Sequence, residues 1–151
     1  MDKEVQEIMG CTCLRMRQAT RLVTQLYDHL LQPTGLTANQ FGLMGHLYGA
    51  NLQHAPGLSI GELAERLGMD PTTLNRNLKP LETKGWVKNL SDPGDGRVRL
   101  VRITDKGQRT LQKAIPCWRE AQAHMQKALG SQQLGDLNAL LDRSAAQLAH
   151  S

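Results

Sequence analysis

The 151-residue chain is poor in aromatics, with two Trp, two Tyr and one Phe, and poor in cysteine, with three. A small, odd number of thiols excludes a disulfide framework and predicts reduced cysteines in a cytoplasmic protein. No apolar run approaches the ~18 residues that cross a bilayer, which excludes a membrane partner of that kind. The opening residues, Met1 to Glu7, lack the basic and apolar regions of a secretory signal. Catalytic signatures are missing too: there is no phosphate loop, dinucleotide fingerprint, His-Glu-x-x-His or nucleophile elbow. The histidines at 29, 46, 54, 124 and 150 include no i, i+4 pair. The reading is of no enzyme, no cofactor and no metal site.

What is present is unevenly placed. Lys and Arg total 18 against 14 Asp and Glu, a formal net charge of +4. Between Arg66 and Arg109 ten basic residues meet five acidic ones, a local +5, so the remainder of the chain carries −1. A positive excess confined to one contiguous segment suggests a surface for a polyanion. A merely solvated Lys/Arg face is the alternative on charge alone, and the local motifs decide.

Ala19, Leu22, Val23, Leu26, Tyr27, Leu30 and Leu31 recur at the three-and-four spacing of one helical stripe. Pro33 and Gly35 end that helix. Ala38 to Leu52 predicts a second, followed by a turn over His54 to Gly57. Ser59 and Glu62 have capping-box spacing and open a short helix that Gly68 interrupts. Asp70-Pro71 supplies an N-cap and a first-position proline for a further helix with Leu74, Leu78 and Leu81 on one face. Trp86 to Leu90 and Val98 to Ile103 read as strands of a hairpin, joined by the turn-rich Ser91 to Gly96. Thr104 caps a long helix to about Leu129, in which Pro116 is expected to introduce a bend. A last striped helix runs from about Gln132 through Leu148.

Helix, tight turn and helix over Ser59 to Thr83 is the arrangement that offers its second member to the DNA major groove. Opposite Leu74, Leu78 and Leu81 the second helix carries Thr72, Arg76, Lys79 and Thr83, with Thr73 and Asn75 at the flanks. That face is all donors and cations, and Arg and Asn are the residues that pair bidentately with guanine and adenine. Pro80 removes a helical hydrogen bond, so a kink or tightening is expected there and base contacts are assigned to the first two turns. The hairpin tip and outgoing strand hold Arg97 and Arg99, guanidinium groups suited to the negative minor groove.

The segments Leu58-Ser59-Ile60-Gly61-Glu62-Leu63-Ala64 and Leu81-Glu82-Thr83-Lys84-Gly85-Trp86-Val87, then Asp95-Gly96-Arg97 and Ile103-Thr104-Asp105-Lys106-Gly107, resemble the MarR family of bacterial transcriptional regulators. The most specific part is the wing signature, Asp-x-Arg followed at fixed distance by Ile-Thr-x-x-Gly. The resemblance implies a mainly α fold with a small β-hairpin wing, a single winged helix-turn-helix domain over 1–151. Its DNA-binding lobe would be 36–107, set between dimerisation helices at 1–35 and 108–151. It also implies a homodimer on a pseudo-palindromic double-stranded operator, a repressor released by an effector. Arg97 would enter the minor groove, with Asp95 orienting it or a neighbouring arginine. The expected DNA-contacting set is Ser59, Thr72, Thr73, Asn75, Arg76, Lys79, Asp95, Arg97 and Arg99. The dimer has independent support, because a winged helix-turn-helix needs only about half of this chain and the striped end helices want a partner surface.

Cys11 and Cys13 lie at the start of the first helix beside Arg15 and Arg17, where a helix N-terminus and nearby cations favour a reactive thiolate. From Cys13 onward the stretch is similar to the organic-hydroperoxide-sensing branch of the family, with Arg21, Thr24, Leu26 and Tyr27 at that branch's positions. Where the branch carries further tyrosines, this chain has Arg17 and Ala38. Cys117 falls where some members keep a resolving cysteine. Three readings of the thiols stand side by side: packing at the dimer interface, sensing of an oxidant or electrophile, and binding of a soft metal or metalloid. If both are helical, Cys11 and Cys13 point about 200° apart, so one ion joins them only if the helix starts later or the partner contributes. The family's other mode is a small phenolic or aromatic acid held between the dimer helices and the DNA-binding lobe, with Arg17, Tyr27, His29 and His46 as candidate lining.

Overall fold

The computed structural model describes residues 2–151. In chain order its elements are α1 (Lys3–Met9), α2 (Thr12–Leu31), a short 3-10 turn, α3 (Ala38–Leu52), β1 (Leu58–Ser59), α4 (Ile60–Leu67), α5 (Pro71–Thr83), β2 (Val87–Ser91), β3 (Arg99–Ile103), α6 (Asp105–Leu129) and α7 (Ser131–Leu148). The fold is a winged helix, mainly α with a small antiparallel sheet. The strand order is β1-β3-β2, so β3 is central, with Val101 opposite Leu58 on one side and Asn89 on the other. The wing is therefore three-stranded where a two-stranded hairpin was expected. β1 is too short to show alternation and exists only through its pairing with β3.

Caps fix the helix starts. Thr37 and Gln40 form a capping box at α3, and Ser59 and Glu62 form another at α4. The α2 carboxylate of Asp28 accepts a further 2.7 Å hydrogen bond from the Ala38 amide, tying α2 to the start of α3. Gly68 ends α4 with φ +61°, a left-handed conformation that glycine adopts without strain. Both interior prolines are exposed, and α5 and α6 continue through Pro80 and Pro116 as single helices. The carbonyl that each proline leaves unpaired then lies on the water-facing side.

The core is leucine-rich. Leu43, Met44 and Leu47 of α3, Leu63 of α4, Leu74, Leu78 and Leu81 of α5 and Val101 and Ile103 of β3 are all at most 2% exposed. Phe41 stacks on Trp118 at 5.9 Å between ring centroids, joining α3 to α6. The terminal elements contrast with this. α1 and α7 contribute no buried residue, and α2 contributes only Leu31. α1 itself was not anticipated: it is two turns long, with Asp2 as its N-cap.

The Ile103-Thr104-Asp105-Lys106-Gly107 signature is a junction. The Thr104 hydroxyl accepts from the Gly107 amide at 3.0 Å and donates to the Gly85 carbonyl at 2.6 Å, while the Thr104 amide donates to the Trp86 carbonyl at 2.9 Å. Gly107 lies so close to the residue before β2 that a Cβ would overlap the Trp86 carbonyl oxygen and come within 2.8 Å of Ile103 Cγ1. A Gly107→Ala substitution is accordingly expected to destabilise the chain by about 1–3 kcal/mol, the range for overpacking, despite the better helix propensity of alanine. The urea midpoint measures it, and an unchanged or raised midpoint would refute the close packing.

Asp70 caps α5 by accepting from the Thr73 hydroxyl at 2.5 Å and the Thr73 amide at 3.0 Å. The hydroxyl bond first, and the amide bond after it, hold its carboxyl below the usual carboxylate range. A lowered folded-state pKa contributes stability above the unfolded value of about 4 and loses it as pH falls through the folded value. An Asp70→Asn variant should therefore show a shallower loss of stability below pH ~4 than the parent chain. Parallel acid titrations followed by circular dichroism check this, and superimposable profiles would contradict it.

Candidate nucleic-acid interface

α5 and the wing bring most of the expected contact residues together. On α5, Thr72, Arg76 and Lys79 are exposed and Asn75 is half-buried. Leu74, Leu78 and Leu81 on the opposite side are fully buried, which fixes the helix's rotation. The hydroxyls of Ser59 and Thr73 serve the helix starts: Ser59 Oγ accepts from the Glu62 amide at 3.1 Å, and Thr73 donates to Asp70. Ser59 keeps its own proton available to an outside acceptor.

At the wing, Asp95 Oδ1 accepts from both the backbone amide and Nε of Arg97, at 3.1 and 3.2 Å. The Arg97 side chain is 93% exposed. An ion pair this exposed adds little stability. What it does is hold the guanidinium by its Nε edge, leaving both terminal nitrogens free to donate outward.

Arg99, expected beside Arg97 as a DNA contact, is engaged by side chains of the same subunit at the surface. Its Nε donates to Asn89 Oδ1 of β2 at 2.5 Å, one terminal nitrogen to Asn75 Oδ1 at 2.9 Å, and the other to Glu82 Oε1 at 2.6 Å. One guanidinium thus joins the wing to two turns of α5. It also pairs the Glu82 carboxylate, which would otherwise stand unneutralised beside the cationic face. Its partners lie 10, 24 and 17 residues away, so no local motif announces the arrangement. The residues missed in the sequence are Glu82 and Asn89; the available signal was an acidic residue on a helix otherwise suited to an anion.

Lys84 belongs to the same engaged set. Its Nζ sits 4.5 Å from the Trp86 ring centroid and donates to the Gly35 carbonyl at 3.4 Å.

The expected effector residues are dispersed. Cys11 is the exposed N-cap of α2, in extended conformation, and Cys13 is exposed one residue into the helix. Cys13 and Arg17 line a cleft of about 650 Å³ with Met16, Thr20, Arg21 and Leu148. Cys117 lies against the core on α6, lining a separate cleft with Pro33, Thr34 and Trp86. The 20 residues of α2 separate the two regions by roughly 30 Å. Within one subunit that span keeps Cys117 from pairing with Cys13, since a disulfide needs Cα atoms within about 7 Å. His46 lines a third cleft with Gly42, Gly45, Gly49, Gln53 and Arg66, while Tyr27 packs against the core, where burial pushes its phenol upward. Arg17, Tyr27 and His46 therefore do not meet in one cleft. Among the described residues no three His, Cys, Asp or Glu side chains converge as a metal site, and no helix is long and apolar enough to cross a membrane.

Residues 34–98 match the MarR family model. The chain is 29% identical over 109 residues to an uncharacterised HTH-type transcriptional regulator, YdgJ, of Bacillus subtilis (strain 168), covering 72% of this chain and 62% of that protein's length. Among solved structures it is similar to the M. tuberculosis transcriptional regulator MosR in complex with DNA, with 33% identity, a TM-score of 0.76 and 91% and 98% of the two chains covered. It is also similar to a mutant MarR from E. coli complexed with operator DNA, with 26% identity, a TM-score of 0.81 and 95% and 99% covered. With a regulator one third identical over nearly its whole length, and the wing signature resolved as a structural junction, the chain belongs to the MarR family of DNA-binding transcriptional regulators.

Proposed function

We propose that this chain is a homodimeric, sequence-specific repressor that reads a pseudo-palindromic operator. α5 enters the major groove, with Thr72, Asn75, Arg76 and Lys79 toward the bases and phosphates. Arg97, held by Asp95, enters the minor groove, and Ser59 and Thr73 face the backbone at the helix starts. The observation that carries the reading is the Arg99 bridge. By tying the wing to α5 it presents the free cations Arg76 and Arg97 from adjoining elements, which supports contact with one duplex by both.

Dimerisation rests on surface. The chain exposes 10355 Å², whereas a compact monomer of 16.7 kDa exposes about 7600 Å². The exposed large apolar side chains, apart from Leu52, lie in α1, α2 and α7, among them Ile8, Met9, Leu22, Leu140 and Leu148. An excess of about 2700 Å² per subunit falls in the obligate-dimer class. Residues 1–35 and 108–151 are accordingly assigned to dimerisation and 36–107 to the DNA-binding lobe.

Release is assigned to modification of Cys11 or Cys13 by an oxidant or electrophile. Both thiols are exposed and sit where α1 meets α2, so a change there alters how the apolar end helices seat on the partner and hence the half-site spacing. A phenolic acid or a soft metal bound with help from the partner subunit is the competing effector.

On a duplex selected from a randomised library, Arg76→Ala and Arg97→Ala should each weaken binding about 30-fold or more, because a contact worth about 1–3 kcal/mol is lost in both half-sites. Gel-shift titration measures it, and two variants that both bind like the parent would sink the DNA reading. The Cys11→Ser, Cys13→Ser double variant should bind the same duplex normally yet stay bound when peroxide or hypochlorite releases the parent. Release of the double variant at the parent's oxidant concentration would remove the thiol reading.

A further inference from the structure

Asparagine on a recognition helix is ordinarily an adenine reader: its Oδ1 accepts from the adenine N6 amino group while its Nδ2 donates to N7. Asn75 is not free to do this. Its Oδ1 accepts from Arg99 at 2.9 Å, and Arg99 is itself anchored by Glu82 at 2.6 Å and Asn89 at 2.5 Å. The orientation of the amide is chemically determined, since a guanidinium has donors only and the atom facing it has to be the carbonyl oxygen. A bidentate adenine pair needs Oδ1 and Nδ2 side by side against one base; one of the two Oδ1 lone pairs is taken by a guanidinium, which weakens the oxygen as an acceptor and places a cation where the adenine N6 amino group would have to approach. The group left unengaged for an outside partner is Nδ2, which no hydrogen bond within the chain uses among the described residues.

We propose that Arg99 is a positioning residue that makes Asn75 act mainly as a donor, so that at the base pair it meets G·C with guanine facing Asn75 is preferred over A·T. Guanine is the base whose major-groove edge offers two acceptors, N7 and O6, with no donor and no methyl group; adenine places an amino donor against the Asn75 amino group. Specificity at this position is then set by β3, an element that touches no base there. The assignment rests on the DNA-binding reading above.

The test is selection from a randomised duplex library by the full-length chain, run with the parent, Asn75→Ala, Glu82→Gln and the Arg99→Met, Glu82→Gln pair. The pair frees the Asn75 amide without leaving Glu82 charged and unmatched. The parent should enrich G·C over A·T about tenfold at one position per half-site, as expected for one discriminating hydrogen bond. That position alone should lose its preference in Asn75→Ala. Glu82→Gln should keep G·C, and the Arg99→Met, Glu82→Gln pair should bring A·T to within about twofold of it or above it. Enrichment of A·T by the parent at the Asn75 position would overturn the proposal. So would an Asn75→Ala consensus identical to the parent's, or a G·C preference undiminished in the Arg99→Met, Glu82→Gln pair. If that pair folds too poorly to select DNA, the parent and Asn75→Ala consensus sequences alone decide between G·C and A·T. A library from which the parent enriches nothing would remove the DNA-binding reading together with this one, whereas a sharp consensus with A·T at that position would remove only this one.

Discussion

Arg99 leaves β3, donates twice to α5 through Asn75 and Glu82, and donates once to β2 through Asn89, so one planar group bridges recognition helix and wing on their outer side. The ion pair with Glu82 is partly exposed, 41% and 30% for the two side chains, and a pair in that setting is worth little as stability. Its value is geometric. A guanidinium holds its donors in a fixed plane, whereas a lysine at the same place would offer a point charge on a flexible stem and could not bridge three acceptors with defined directions. In the proposed complex the free arginines depend on this one: Arg76 and Arg97 would face the same duplex only if α5 and the wing keep their relation.

The second constraint is the division of apolar surface. Core side chains run from Leu31 to Ala114, nearly all from the lobe and the start of α6, while α1 and α7 bury nothing within the subunit. The lobe therefore has its own interior, sealed at the Trp86, Thr104 and Gly107 junction onto α6. The end helices do not. Their leucines and methionines are exposed within the subunit; in the proposed dimer a second copy covers them, so folding of the ends and association belong to one equilibrium. An effector acting at Cys11 or Cys13 would work on the less self-sufficient part of the molecule, where small free energies shift the seating of whole helices.

Elements bounded by local chemistry are legible in the sequence. α3 begins after Thr37, α4 after Ser59, α5 after Asp70 and α6 after Thr104, because N-cap and capping-box residues act within three positions of one another. Elements defined by distant partners are not. β1 has two residues and no alternation, and it becomes a strand only against Leu100 and Val101. α1 is seven residues whose apolar side has no mate in the chain. The expected site divides in the same way. Arg97 and Asp95 are two residues apart and their contact can be inferred from the motif, whereas the bridging role of Arg99 depends on residues up to 24 positions away.

Packing also changes what the +5 of residues 66–109 means. Arg99 is matched to Glu82, and Lys84 is folded over Trp86 toward the Gly35 carbonyl, so two of the ten cations serve the protein's own architecture. Arg76, Lys79, Lys88 and Arg97 remain exposed on α5 and the wing. Arg66 on α4 and Lys106 and Arg109 on α6 are exposed as well, so the free cations of the segment extend beyond the two elements that Arg99 joins. In a two-fold dimer this set is repeated once, on half-sites about one helical turn apart. In the proposed complex the free lysines supply sequence-independent attraction, while Asn75, Arg76 and Arg97 add base discrimination. The bridge from β3 ties the two functions to a single geometry.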